Sequence, residues 1–120
     1  MILVDRSVWV DHFRHANPGL ASHLIDGRVV CHAFVIGELA LGNLRNRSEI
    51  LARLSDLPQL PMAGHAEVLE LVERRRLMGT GIGWMDAHLL GAVLLAGAML
   101  WTLDAPLARV ARRLRVAAAS

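Results

Sequence analysis

Lysine is absent from this chain, cysteine occurs once, and aromatic side chains make up only 4% of its 120 residues. The lone thiol, in Val29-Val30-Cys31-His32, has no internal partner, so a disulfide framework is excluded and a buried Cys31 in a reducing, cytoplasmic setting is expected. Without lysine, the glycine-rich stretch Gly79-Thr80-Gly81-Ile82-Gly83 cannot be a lysine-bearing phosphate loop. It also lacks the full dinucleotide fingerprint and reads as a connector. The few aromatics form no stripe on which single-stranded nucleic acid would stack. Six histidines are present, and His12 and His15 are spaced for one helix face, but no third histidine or cysteine completes a zinc signature. The longest apolar run, Leu89 to Leu103, carries one Thr and falls short of the about 20 residues that span a bilayer. No secretory signal is visible, because Asp5 precedes any basic region or long apolar segment. No membrane association is expected.

What is present is a large apolar fraction, 54%, under a net charge of only +2. That combination excludes disorder and fits one folded domain over residues 1–120. Met1 to Val4 reads as a buried strand, and Ser7 caps or joins a helix reaching about His15. Asn17-Pro18-Gly19 marks a turn into a short helix, Leu20 to Ile25, stopped by Gly27. Arg28 to Cys31 reads as a second strand, Ala33 to about Asn43 as a helix, and Asn46 or Ser48 as the start of another through Leu57. The segment Leu57-Pro58-Gln59-Leu60-Pro61 breaks that helix and allows a very short strand. Ala66 to Met78 has helical periodicity, about Met85 to Gly97 is a long apolar helix, Met99 to Leu103 a central strand, and Pro106 opens a last helix through about Leu114. Strands separated by helices predict an α/β layered fold with a small parallel sheet covered on both faces. The Ala117-Ala118-Ala119-Ser120 tail is too short for a function of its own.

Four acids stand in apolar company. Asp5 ends Met1-Ile2-Leu3-Val4, Glu38 lies within Phe34-Val35-Ile36-Gly37-Glu38-Leu39-Ala40-Leu41, Asp86 opens the long apolar helix, and Asp104 closes Met99-Leu100-Trp101-Thr102-Leu103. A carboxylate among core-forming residues is costly unless paired, hydrogen-bonded or metal-bound. Asp5 and Asp104 fall at the carboxyl ends of strands, where sites gather in open α/β sheets. One shared site follows, and Mg²⁺ or Mn²⁺ is the natural partner of clustered hard oxygen ligands. Each acid also has an ordinary reading: a strand-ending turn acid for Asp5, a solvent-facing helix residue for Glu38, an N-terminal helix charge for Asp86 and a helix cap for Asp104. Thr102 is a candidate for hydrogen bonding to the acids, against an ordinary strand-end hydroxyl.

The opening Met1-Ile2-Leu3-Val4-Asp5-Arg6-Ser7-Val8-Trp9, the helical Glu38-Leu39, Asp86-Ala87 before His88-Leu89-Leu90, and Thr102-Leu103-Asp104 followed by Leu107-Ala108-Arg109-Val110-Ala111 resemble, in order and spacing, the PIN-domain nucleases, especially the VapC-type toxins of bacterial and archaeal toxin–antitoxin pairs. The resemblance covers nearly the whole chain. It implies a PIN-like three-layer α/β sandwich and divalent-metal-dependent endoribonuclease activity. It also implies a homodimer and a cognate antitoxin whose tail occupies a groove near the site in a toxin–antitoxin hetero-oligomer. Asp5, Glu38, Asp86 and Asp104 would be the metal-binding and catalytic acids, with Thr102 beside them.

One position departs from the family pattern. Thr or Ser commonly follows the first acid, whereas this chain has Arg6, with Ser7 next, and both are candidate substrate-binding residues. Arg6 either contacts substrate phosphate, the favoured reading because guanidinium engages phosphate through paired hydrogen bonds, or pairs with the acids and weakens metal binding. A catalytically weak RNA- or protein-binding module, or a nuclease acting on another nucleic acid, are the alternative functions. Arg74-Arg75-Arg76 reads as a solvated helix end or an RNA contact, and Arg109, Arg112 and Arg113 share a broad helical face. Trp101 is expected in the core, Trp9 in the core or a dimer interface, and Trp84 in the core or against a partner.

Overall fold

The computed structural model describes residues 1–118, so the last two tail residues, Ala119 and Ser120, lie outside it. Three short strands, β1 (Ile2–Val4), β2 (Val29–Val30) and β3 (Met99–Trp101), form a parallel sheet in the order β2-β1-β3. Parallel neighbours need crossover connections. Helices α1 (Arg6–His15) and α2 (Pro18–Ile25) join β1 to β2. Helices α3 (Ala33–Ala40), α4 (Arg47–Asp56), α5 (His65–Arg75) and α6 (Trp84–Ala96) join β2 to β3, and α7 (Ala105–Arg113) follows. Leu3, Val4 and Leu100 are fully or almost fully buried, as a sheet covered on both faces requires. Trp9 and Trp101 lie in the core. The α/β sandwich with a small parallel sheet is therefore the observed architecture, and β1 and β3 are paired in register from Ile2↔Met99 to Val4↔Trp101.

The sheet is wider than its three strands. Gln59 pairs with Cys31 beyond β2, and Ala117 with Leu100 beyond β3. The first bridge is the very short strand expected near Leu60. Pro58 and Pro61 lack N–H groups and stop it growing. The second was not foreseen, because alanine has little strand preference. Its hydrogen bonds, Leu100 N–H to the Val116 carbonyl (2.7 Å) and Ala118 N–H to the Leu100 carbonyl (2.9 Å), come from tertiary pairing.

Local chemistry sets the element ends. Asn17 caps α2 by accepting from Leu20 N–H at 3.1 Å, with Pro18 in its first turn. Gly97 ends α6 at φ 66, a left-handed position that suits glycine. Several boundaries differ from the sequence expectation: α3 ends at Ala40 short of Asn43, and α5 at Arg75 short of Met78. The cap of α1 is Asp5, which accepts from Ser7 N–H at 3.4 Å, and Ser7 sits inside the helix. Strand β3 stops at Trp101 because Thr102 turns its hydroxyl to Asp5.

His32 caps α3 from a fully buried position, its Nδ1 accepting from Phe34 N–H at 2.9 Å. An accepting Nδ1 carries no proton, so the neutral ring holds its proton on Nε2, which is buried without a partner among the described residues. Burial, then the neighbouring His88, push the His32 pKa below its ordinary 6.5. Below pH 6.5 the unfolded chain therefore takes up a proton that the folded chain refuses, and stability falls as pH drops from there. Replacing His32 with Asn keeps a cap acceptor and removes the titration. Denaturant midpoints measured between about pH 7 and 5 should fall less steeply for His32→Asn than for the parent chain; parallel slopes would contradict this assignment.

Candidate active site

Because all three strands run the same way, Asp5 and Thr102 leave the sheet at the same edge. Asp5 is only 6% exposed, and its burial is offset by hydroxyls. Its Oδ2 accepts from the Ser7 hydroxyl at 2.7 Å and from the Thr102 hydroxyl at 2.7 Å. The Ser7 oxygen in turn accepts from Leu103 N–H at 2.9 Å, and the Thr102 oxygen from Asp104 N–H at 3.1 Å. One carboxylate oxygen thus ties the end of β1 to the chain leaving β3. Thr102 makes the acid contact foreseen for it, while the Ser7 hydroxyl is engaged within the protein.

The other acids are set by helix ends. Asp104 caps α7, its Oδ2 accepting from Leu107 N–H at 3.1 Å. Asp86, in the first turn of α6, accepts from Gly83 N–H through Oδ2 at 3.2 Å. The preceding loop is seated on α7: Gly81 has φ +87, and a Cβ there would lie 3.4 Å from Pro106. Glu38 projects from α3 and pairs with Arg6, Nε to Oε2 at 3.5 Å. Arg6 is thus placed against the acids.

Electrostatics link all four. Burial raises the Asp86 carboxyl above its ordinary 3.8; the Gly83 hydrogen bond opposes this, the Asp5 and Asp104 charges add to it, and Arg6 opposes it. Burial likewise raises Glu38 above 4.5, Arg6 opposes, and Asp5 and Asp86 add. The acids are therefore one electrostatic neighbourhood. They are not a closed cage: among the described residues, no three Asp, Glu, His or Cys side chains are gathered tightly enough to hold a metal ion as they stand. Asp5, Asp86 and Asp104 are each tied instead to a separate backbone N–H.

A row of packed rings escaped the sequence reading. Phe34 and His88 lie 5.0 Å apart between ring centres, His88 and Trp84 4.8 Å, and Trp84 and His65 5.1 Å. The only available signal was Trp84 and His88 at i,i+4 on one helix face. Trp84 is 41% exposed and outside the core. The two basic regions also meet: Arg113 donates to the Arg75 and Arg76 carbonyls at 2.6 and 3.3 Å, satisfying the end of α5.

Known proteins are similar to this chain. Residues 2–113 match the PIN domain family. The chain is 52% identical over 105 residues to Ribonuclease VapC32 from Mycobacterium tuberculosis, in both strain CDC 1551 / Oshkosh and strain ATCC 25618 / H37Rv, covering 87% of this chain and 85% of the relative. The crystal structure of PAE2754 from Pyrobaculum aerophilum superposes with a TM-score of 0.60 over 95% of this chain and 88% of that one, at 20% identity, a likeness of fold. With the parallel sheet, the acids at its edge and the family match extending over nearly all its length, the chain belongs to the PIN-domain family.

Proposed function

We propose that this chain is a divalent-metal-dependent endoribonuclease that hydrolyses RNA phosphodiester bonds and acts as a toxin neutralised by a cognate antitoxin. What supports this reading is the buried Asp5 at the carboxyl end of β1, within electrostatic reach of Glu38 and Asp86, with Asp104 in turn acting on Asp86, in a chain so similar to a protein named a ribonuclease. The donor set fits Mg²⁺ or Mn²⁺. All four donors are carboxylates, and Asp5, Asp86 and Asp104 each commit only Oδ2 to the hydrogen bonds among the described residues. Hard oxygens freed of other partners suit such ions. A bound divalent ion at these acids would supply charge neutralisation for the phosphate and a more acidic water.

The chain's own groups have separable tasks in this reading. Ser7 and Thr102 hold the Asp5 carboxylate in one orientation. Glu38 and Asp86, whose charged forms are disfavoured by burial and neighbouring acids, gain from a nearby cation that offsets their charge, and the proton lost by the attacking water passes to bulk water. The attack forms a bond from water oxygen to phosphorus and breaks the bond to the leaving oxygen. In this reading the chain is further proposed to be a homodimer in the cytoplasm, with the antitoxin adding a hetero-oligomer. No helix among the described residues is long and apolar enough to cross a membrane.

The Arg6–Glu38 pair favours charge neutralisation over phosphate contact as the role of Arg6, and also supports a second reading, a weakly catalytic RNA-binding module. Purified chain incubated with cellular RNA and Mg²⁺ or Mn²⁺ should cleave it, and Asp5→Asn should abolish cleavage. RNA bound without cleavage, unchanged by metal, would establish the module reading. Cleavage of DNA alone would redirect the substrate assignment.

Three further outcomes follow from the geometry. Thr102→Val keeps side-chain shape and removes one donor to Asp5; metal affinity or turnover should fall about 10- to 100-fold, as for other residues that orient a metal-binding group. Calorimetric metal titration with a cleavage assay checks this, and unchanged values in both would exclude the positioning role.

Arg6→Thr removes the competing cation and restores the family-like hydroxyl, so metal affinity and cleavage should both rise. If Arg6 instead binds phosphate, Arg6→Ala will weaken RNA binding and its salt dependence.

In chelator, Asp86→Asn and Glu38→Gln should be more stable than the parent chain at about pH 7. Their carboxyls are raised in the fold, so the parent carries a charge penalty at high pH. It is relieved as pH falls through the raised values toward the ordinary 3.8 and 4.5. Unfolding midpoints across that range test the sign; variants less stable than the parent at neutral pH would reverse it.

A further inference from the structure

An open cavity of about 480 Å³ lies beside Glu38, between α1, α3 and the loop leading to α4. Its size is within the range of small-molecule sites. Arg6, Val10, Phe13 and Arg14 line it from one face of α1, at the i, i+4, i+7, i+8 spacing of a helical stripe. Arg6, at the acid end, is paired with Glu38. Arg14 sits about two turns away along the helix. Across the cavity are Asn43, Arg45 and Asn46 of the α3–α4 loop. That loop is fastened by Arg47, whose Nε and Nη2 donate to the Ala40 carbonyl at 3.1 and 2.8 Å.

Three features point to the ligand. Arg14 and Arg45 are exposed and, among the described residues, make no ion pair or side-chain hydrogen bond, and Glu38 is the only acid in the lining. The cavity is therefore a positive recess opening directly onto a carboxylate site. Asn46 precedes α4 at φ 53 and ψ 40 with no side-chain capping bond, so its amide is not consumed by the helix it starts. Phe13 stacks on Trp9, is 36% exposed, and offers a flat apolar surface beside these polar groups. Guanidinium groups for phosphate, an amide for a base edge and a ring for a base face are the components of recognition of an unstacked RNA nucleotide.

We propose that this recess is a subsite for one unpaired nucleotide next to the scissile phosphate, with Arg14 and Arg45 on its phosphate and Asn46 and Phe13 on its base, so that it helps select where RNA is cut. The proposal rests on the ribonuclease reading. It makes the substrate a single-stranded or looped RNA segment, because a base must leave its stack to enter. Arg14 and Arg45 bind the strand, and Asn46 discriminates between bases.

The test uses the full chain in chelator with a fluorescently labelled, mixed-sequence, short single-stranded RNA, followed by anisotropy over a salt series. Cleavage sites are then mapped on the same RNA with Mn²⁺. Arg14→Gln with Arg45→Gln should weaken binding and make the slope of log affinity against log salt shallower by about 0.7 for each phosphate no longer neutralised. Asn46→Gly keeps the left-handed backbone position available and removes the amide; it should leave the salt slope unchanged while altering the distribution of cut sites. Circular dichroism confirms that the variants fold. Wild-type slopes and cut sites in all these variants, with the parent chain still cleaving, would overturn the subsite and leave the ribonuclease reading intact. No cleavage of any RNA by the parent chain would overturn that reading and the subsite with it. Unchanged RNA binding and cut sites, with weaker affinity for a polyglutamate peptide in the double arginine variant, would overturn the nucleotide subsite in favour of an acidic protein segment.

Discussion

A single oxygen of Asp5 carries two tasks that would otherwise compete. It caps α1 directly after β1, and it receives the hydroxyls of Ser7 and Thr102 at 2.7 Å each. The second task brings residues almost a whole chain apart into register, because Thr102 follows β3 directly. Parallel pairing of β1 with β3 places the two strand ends at one edge, and the hydroxyl contacts fasten them there. A buried carboxylate is tolerated at this point because charge-assisted hydrogen bonds replace its lost hydration.

The other acids show how a charged site is built without a preformed cage. Asp104 and Asp86 are each anchored by a backbone N–H at a helix start, where exposed amides and the helix dipole favour negative charge. Glu38 is held by an arginine. Each acid is locally satisfied, yet burial and the neighbouring negative charges still raise Asp86 and Glu38. Such a site is under electrostatic stress that a cation relieves. Arg6 relieves part of it from within the chain, at the position where the sequence departs from the family pattern. The same arginine joins the acids to the recess lined by Arg14 and Arg45, so negative and positive surfaces meet at Glu38.

Much of the fold was legible because its elements are strongly patterned. Continuous apolar runs marked β1 and β3, Asn17-Pro18 and Gly97 marked helix ends, and the acids stood out against apolar neighbours. The unforeseen parts are those in which a residue's partner is distant in sequence. Alanines near the C-terminus joined the sheet through Leu100, not through strand preference. His88 packs into a row of rings with Phe34, more than fifty residues away, and Trp84. The Arg75 and Arg76 carbonyls found a donor in Arg113.

The sequence by itself determined the fold class, the order of the elements and the family, because these depend on periodicity, local end signals and residue type. The tertiary structure alone decided which partners each group meets. It set Arg6 against Glu38, turned the Ser7 hydroxyl inward to Asp5, left Trp84 outside the core and opened a basic recess between α1 and the α3–α4 loop. The physical reason is that charge pairing, burial and cavity shape are set by distances between elements. Those distances arise when the strands pair and the helices pack around them, and no local run of residues encodes them.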